Sequence, residues 1–364
     1  MIEADQRNPQ STASAGTASP GTIDRSTTAD PTLTMGETQR RRGLARWLYP
    51  EELLAIALLL VTVGINISIH RTLNTEILYQ NVSTYRTLFQ GQIEYFLRAL
   101  RYCVIGFMVW HGLRWMLGRP LHLLAWRRPD TLILAARAML VYFFCAVAFG
   151  NLQGFIRRLS PIDRDDWLIV IDRVIFLGYE PLKLLEPLVT PWRVNFMMQI
   201  YISMMIMPFV TMVVFLHQGK LRAFRNTIVS LVLGLIVSYP GYLIMPAIGP
   251  QYTLRHLFVR RVFDVEAMLS HGIDRLTRDT FPSVHTAVSV ICMILVWRYS
   301  TSRIYRIAFA VWALSIVFST MYLRFHYVFD VIVGVLVSIF VTWLGPRFND
   351  WYLGRAEPDA QPTA

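Results

Sequence analysis

Residues 304–346 read IYRIAFAVWALSIVFSTMYLRFHYVFDVIVGVLVSIFVTWLGP. Two apolar runs, each long enough for a helix of about 20 residues to cross a bilayer, are separated only by the polar insert Arg324, His326 and Asp330. A helical hairpin that turns at one membrane face is the economical reading, and it places an imidazole and a carboxylate in the turn. Working back from it, residues 280–286 read TFPSVHT and open another apolar run, which delivers a second histidine, His285. The chain between His285 and His326 crosses, turns near 298–303 and crosses back, so both imidazoles are expected on the same face.

The rest of the chain fits a membrane protein. It has 364 residues, of which 54% are hydrophobic and 16% charged, a profile that soluble domains of this size rarely show. The spacing predicts an all-α integral membrane protein with about eight transmembrane helices, near 52–69, 99–117, 131–150, 194–216, 227–247, 284–297, 304–323 and 327–346. Residues 1–45 are rich in Ser, Thr, Pro, Gly and Ala and are expected to form a disordered cytoplasmic tail. Residues 46–130 should hold two N-terminal transmembrane helices with their loops, 131–348 a six-helix catalytic core, and 349–364 a flexible cytoplasmic tail. No apolar segment precedes the first span, so a cleaved signal peptide is not expected. Cys103, Cys145 and Cys292 are widely spaced within apolar stretches and read as small core residues rather than a disulfide or zinc framework.

The net charge of +11 comes from basic residues scattered between apolar runs, which suits lipid headgroups and not nucleic acid. Arg40–Arg46, the 114–128 connection, the 217–226 turn and the 298–306 turn all fall on one side, the cytoplasmic one by the excess of Lys and Arg in short loops. Both termini are then cytoplasmic, and the loops near 70–98, 151–193 and 248–283, in which bases mix with acids, face outward. The short basic loops point to a bacterial inner membrane, with the histidines on its non-cytoplasmic face.

His326 and Asp330 are spaced i, i+4, which on a helix places them about one turn apart on one face. A carboxylate there can accept one ring N–H and leave the other nitrogen as a nucleophile or base. Pro282 suits a helix's first turn and Ser283 its cap, and free N–H groups at such an end suit a phosphate. A single histidine in a span is as often a packing residue as a catalyst. Two histidines, an aspartate, an arginine and a Pro-Ser helix start on one face are harder to explain as packing, because ionisable groups at membrane depth are costly.

Phe281-Pro282-Ser283-Val284-His285 resembles the second signature of the type 2 phosphatidic acid phosphatase superfamily, and His326-Tyr327-Val328-Phe329-Asp330-Val331 with Gly334 resembles its third. The pattern from Tyr322 to Asp330 is similar to the branch that contains inositol phosphorylceramide synthase. So are Met245-Pro246-Ala247-Ile248-Gly249-Pro250 and the stretch from Asp166 through Asp172, Arg173 and Gly178. The resemblance implies that His326 is a nucleophile forming a phosphohistidine, Asp330 its orienting partner, and His285 the acid for the leaving oxygen. It implies a phosphate site built from Ser283, Arg324 and Arg278, and a substrate pocket that draws on Tyr322, Tyr327, Pro250, Gln251, Asp172 and Arg173. The expected reaction is transfer of a phospho-headgroup such as phosphoinositol from a membrane lipid to a lipid alcohol, or hydrolysis of a lipid or isoprenoid phosphate, without metal or cofactor. The chain departs from the pattern in two ways. The superfamily's first signature of lysine, arginine and proline is missing, and Thr320 stands where an arginine precedes the third-signature histidine. Around 163–193, Trp167, Leu168, Val170, Ile171, Val174, Ile175 and Phe176 read as an amphipathic or re-entrant helix lying at the membrane interface.

Two other classes compete. His285, His326 and Asp330 form a set of ligands that zinc would accept in a metal-dependent hydrolase. A bundle of eight spans with polar groups in it could also serve a transporter or lipid scramblase, although the polar residues gather at one membrane edge and no internal repeat is visible.

Overall fold

The computed structural model describes residues 48–70, scattered positions between 101 and 116, and residues 129–262 and 277–353. Every regular element among them is helical, joined by one isolated bridge between Ala247 and Asp279. The chain is thus the all-α protein that the spacing predicts. Most of the span expected at 99–117, the N-terminal tail and most of the first outer loop lie outside the described residues.

The long helices are α1 (Pro50–His70), α2 (Pro129–Gln153), α5 (Pro191–Ser203), α6 (Met207–His217), α7 (Leu221–Ile244), α8 (Val284–Tyr299), α9 (Arg303–Tyr322) and α10 (Val328–Leu353), with a shorter α4 (Asp165–Ile175) after a single turn α3 (Ile156–Leu159). Among the described residues, α2, α7, α9 and α10 are long and apolar enough to cross a membrane, and α5 with α6 would make a fifth span bent by 52°. The bend falls where a straight span at 194–216 is expected. Pro208 sits in the first turn of α6, where a proline starts a helix readily but cannot continue the preceding one. At 16 residues, α8 rises about 24 Å, short of the hydrocarbon thickness of about 30 Å. The last helix runs to Leu353, past the boundary at 349 where the sequence suggests a flexible tail.

At the centre is α7, which contacts α1, α2, α6, α8 and α10 and buries side chains on all sides from Ala223 to Leu235. Between lipid-bathed helices close backbone approach matters more than apolar area, so small residues collect at the contacts. Gly334 of α10 is such a point: a Cβ there would stand 2.6 Å from the Ser283 carbonyl oxygen at the head of α8.

The two ends of the bundle differ in chemistry. At one end Arg225 pairs with Glu51 at 3.3 Å, Arg222 with Asp350 at 2.7 Å, and Gln218 donates to Ser300 at 2.9 Å. The basic 217–226 and 298–306 turns therefore sit together beside the start of α1 and the end of α10. The 280s and 320s segments lie at the opposite end, and α4 packs there against α10. Asp165, Leu168 and Asp172 form the buried stripe of α4. Trp167, Val170 and Val174 are exposed on its outer side, the amphipathic pattern that suits a helix lying along an interface.

Candidate active site

The site is assembled from two chain segments tied by backbone hydrogen bonds. Ser283 N donates to the Asp330 carbonyl at 3.1 Å. The turn between α9 and α10 is closed by Phe325 N and His326 N, which both donate to the Thr320 carbonyl, at 3.0 and 3.3 Å. Arg324 takes a left-handed backbone, φ 59°, a conformation that costs energy in a residue with a side chain. That reversal returns the chain so that His326 faces the 280s segment. Ser283 caps α8 as expected, its hydroxyl accepting from Thr286 N at 3.3 Å.

His326 is buried, and its Nδ1 lies 2.8 Å from the Thr280 carbonyl oxygen. A carbonyl can only accept, so Nδ1 carries the hydrogen and Nε2 keeps its lone pair. The expected orienting role of Asp330 takes a different form here. His326 precedes α10 rather than lying on it, and the nearest Asp330 oxygen is 3.6 Å from Nδ1, too far for a hydrogen bond. That oxygen accepts from Tyr327 N at 2.8 Å, and the second carboxylate oxygen is buried without a partner. The carboxylate thus fixes the turn carrying His326, while the Thr280 carbonyl holds the ring.

The rings of His285 and His326 have centroids 6.1 Å apart. Tyr201, on α5, stacks on His285 at 3.9 Å, with its hydroxyl 3.2 Å from the His285 Nδ1. Both imidazoles border a cavity of about 400 Å³. One part of its lining is polar, with Gln153, Gln251, Tyr252, Asp279 and Thr280; another is apolar, with Val147, Phe149, Met204, Phe209 and Leu235. A lining that combines polar and apolar side chains suits an amphiphile.

The three residues expected to hold phosphate are elsewhere. The Arg278 guanidinium is paired with Asp163 at 2.6 and 3.2 Å. Arg324 lies over the Phe258 ring at 3.6 Å and donates to the Arg260 carbonyl at 2.9 Å, and burial lowers its pKa against the opposing charge of Glu186. Ser283 is a cap. None of the three borders the cavity, and among the described residues no lysine or arginine does.

Of the expected substrate-pocket residues only Gln251 borders the cavity. Tyr322 donates to the Leu188 carbonyl at 2.8 Å, and Pro250 opens a single helical turn after Gly249. Tyr327 donates to Asp165 at 2.8 Å. Asp165 also accepts from Ile248 N at 3.0 Å and Gly249 N at 2.9 Å. Asp172 accepts from Val328 N and Phe329 N, both at 2.9 Å, and so caps α10. Burial raises the pKa of both acids, and these backbone donors oppose the rise. Arg173 is exposed and paired with Glu180. The sequence gives no local signal for Tyr201, Gln153 or Asp279, because each reaches the site from a separate element.

Among the described residues no three of His, Cys, Asp and Glu gather closely enough to hold a metal ion. In particular, His326 directs Nδ1 to a carbonyl and Asp330 directs an oxygen to a backbone N–H.

Burial also sets the protonation of His326, lowering its pKa to about 4 against the opposing Asp279 charge. Its neutral form therefore persists as pH falls through the ordinary histidine value of about 6.5 and is lost only near about 4. Turnover of a phosphodiester lipid, which has no ionisation in this range, should keep its His326-dependent activity over the same interval. In that window the unfolded chain binds a proton that the folded one refuses, so stability is full above about 6.5 and falls as pH drops toward the folded value. A pH–rate profile with its acid limb at the ordinary value would show an imidazole open to water.

Residues 166–344, just under half of the chain, match the family model of the PAP2 superfamily. No curated protein and no solved structure matches the chain. The matched segment contains α4 through most of α10, and with them His285, His326 and Asp330.

Proposed function

We infer, from the PAP2 superfamily match of residues 166–344, that the protein is a membrane phosphotransferase or phosphatase of lipid phosphates working through a phosphohistidine. The observation that carries this reading is the hydrogen bond from His326 Nδ1 to the Thr280 carbonyl, which leaves Nε2 unprotonated beside a second imidazole. In the first step Nε2 attacks phosphorus and the bond to the leaving oxygen breaks, with His285 giving that oxygen its proton. In the second, an alcohol or water gives a proton to His285 and attacks phosphorus, which restores His326. No step requires a metal or cofactor. A phosphoryl group needs donors around its equatorial oxygens; with no arginine among the described residues that line the cavity, the imidazoles, tyrosine hydroxyls and glutamine amides are the donors there.

Transfer to a lipid alcohol, of the phosphoinositol kind, is the favoured outcome. The apolar part of the cavity can seat a second acyl chain, and closing the site to water is what separates transfer from hydrolysis. The separation of the basic turns from the histidine end supports a site on the non-cytoplasmic face of a bacterial inner membrane, with both termini cytoplasmic.

Purified protein incubated with headgroup-labelled lipid, with and without an acceptor alcohol, should move label to the acceptor. Vanadate should inhibit the reaction and chelator should not. Release of free phosphate alone would reduce the activity to that of a phosphatase. Loss of activity in chelator, restored by zinc, would overturn the metal-free mechanism, and transport without turnover would favour a scramblase.

A further inference from the structure

The Thr280 carbonyl that holds the hydrogen on His326 Nδ1 lies in a stretch with little regular structure. Residues 277–283 form no helix, and their one ladder contact is the bridge from Asp279 to Ala247. A carbonyl there keeps its place through its neighbours, and both residues before Thr280 are fastened by their side chains. The Arg278 guanidinium is 1% exposed and forked onto Asp163, with Nε donating to Oδ1 at 2.6 Å and Nη2 to Oδ2 at 3.2 Å. Asp279 Oδ2 accepts from Gln153 Nε2 at 2.9 Å.

Both partners come from chain that precedes residue 166, where the family match begins. Gln153 is the last residue of α2, and Asp163 stands in the connection to α4. The same connection is tied to the other side of the bridge, since Arg164 N donates to the Pro246 carbonyl at 2.7 Å. Residues 163–164, 246–247 and 278–280 are thereby locked into one patch beside His326. A two-pronged guanidinium–carboxylate pair fixes direction as well as distance, and an arginine this buried would be costly without its partner. Which nitrogen of a neutral imidazole carries the hydrogen is set by a bond of the kind that Thr280 accepts, so a carbonyl that drifts lets the hydrogen move to Nε2.

We propose that Asp163 and Gln153 are positioning residues for the phosphoryl transfer: through Arg278 and Asp279 they hold the Thr280 carbonyl against His326 and so keep Nε2 free of hydrogen. The chain ahead of the family-matched segment then completes the site. The role in turnover rests on the phosphohistidine reading, whereas the clamp on the ring rests on the hydrogen bonds. A staple that served the fold alone would cost stability when cut and leave the tautomer of His326 as it is.

The test reads the tautomer directly. Full-length protein with nitrogen-15 in its histidine rings is observed by NMR in detergent at about pH 8, where the imidazoles are neutral, and His326→Ala identifies the His326 signals. In the wild type Nε2 should give the shift of a bare ring nitrogen and Nδ1 that of an N–H. Two variants cut the clamp. Gln153→Leu removes one hydrogen bond at a helix end, and Asp163→Leu combined with Arg278→Met replaces the ion pair without orphaning either charge. Each should show a mixture of the two tautomers and lower kcat about tenfold, with KM within about twofold. Asp163→Glu, which can still pair with Arg278, should stay within about threefold of wild type. Gln153→Leu keeps the test open where the double replacement fails to fold. A wild-type tautomer in the folded variants, or a rise in KM at constant kcat, would overturn the positioning role. Mixed tautomers with kcat and KM unchanged, or in a protein whose wild type turns over no lipid phosphoester, would sink the phosphohistidine reading and leave the clamp on the ring standing.

Discussion

His326→Ala should lower lipid phosphoester turnover by a factor of about 10⁴ or more, the scale on which enzymes lose activity when a covalent nucleophile is deleted. The size follows from the geometry. His326 Nε2 is the one nitrogen whose lone pair is dictated by a fixed partner, because the Thr280 carbonyl at 2.8 Å holds the hydrogen on Nδ1. His285 has no lone pair fixed in this way, since its Nδ1 faces the Tyr201 hydroxyl, which can either give or accept the hydrogen. The substitution leaves the Thr280 carbonyl without its donor, a loss of about 1–3 kcal/mol for a buried acceptor, so thermal unfolding in detergent must accompany the rate. A direct readout separates loss of the nucleophile from loss of fold. Wild-type protein quenched in alkali during turnover of phosphorus-labelled lipid should carry label in a bond that acid destroys, as expected of phosphohistidine, and a folded His326→Ala protein should carry none. Residual activity within about a hundredfold of wild type, or label that persists in the variant, would remove His326 from the role of nucleophile.

The two histidines were legible because they sit in short motifs at the edges of apolar runs, where an ionisable group needs a reason to be. The same logic overreached for the arginines. Arg278 and Arg324 flank those motifs, and proximity in sequence suggests a shared target, yet one answers Asp163 and the other the Arg260 carbonyl. Charge in a membrane edge must be paired, and the partners came from 163 and 260, segments no local pattern connects to the motifs. The i, i+4 spacing of His326 and Asp330 suggested a direct contact on one helix. The helix starts two residues after His326, and the carboxylate supports the turn instead. Four of the eight expected spans, those at α2, α7, α9 and α10, were legible from length and hydropathy, whereas the run at 194–216 is broken at 204–206, where local proline chemistry outweighed apolar periodicity. Tyr201 and Gln153 were not legible at all, since a tyrosine or glutamine near the end of an apolar helix carries no mark of what it faces. The stretch at 165–175 was legible as an amphipathic helix, and its exposed Trp167, Val170 and Val174 opposite the buried Asp165, Leu168 and Asp172 agree. The resemblance suggests that Asp172 faces substrate, whereas its place on the stripe with Asp165 and Leu168 puts it on the buried side.

The buried position of Asp172 gives it a large structural effect. Asp172→Ala should destabilise the protein by about 3 kcal/mol and lower kcat by about 100-fold while leaving KM nearly unchanged. The Asp172 carboxylate accepts from Val328 N and Phe329 N, two of the donors that a helix start leaves without internal partners. A negative charge at that end also complements the helix dipole, and bonds from backbone N–H to a carboxylate are stronger than those to neutral acceptors. Removing it leaves two partly buried N–H groups at the head of α10 without their acceptor, and loosens the turn that contains His326 and the Asp330 carbonyl to which Ser283 N is bonded. A shift of about 1 Å in a reacting group is enough for a loss of that size. Asp172→Asn keeps one accepting oxygen and should fall between the two. Arg173→Ala alters the next residue, which is exposed and paired with Glu180, and should change neither quantity by much. Steady-state kinetics on the three variants distinguishes the roles: an increase in KM at constant kcat for Asp172→Ala would return Asp172 to the substrate pocket. A fall in kcat with lowered thermal stability is the mark of a carboxylate that holds the catalytic turn from the membrane interface.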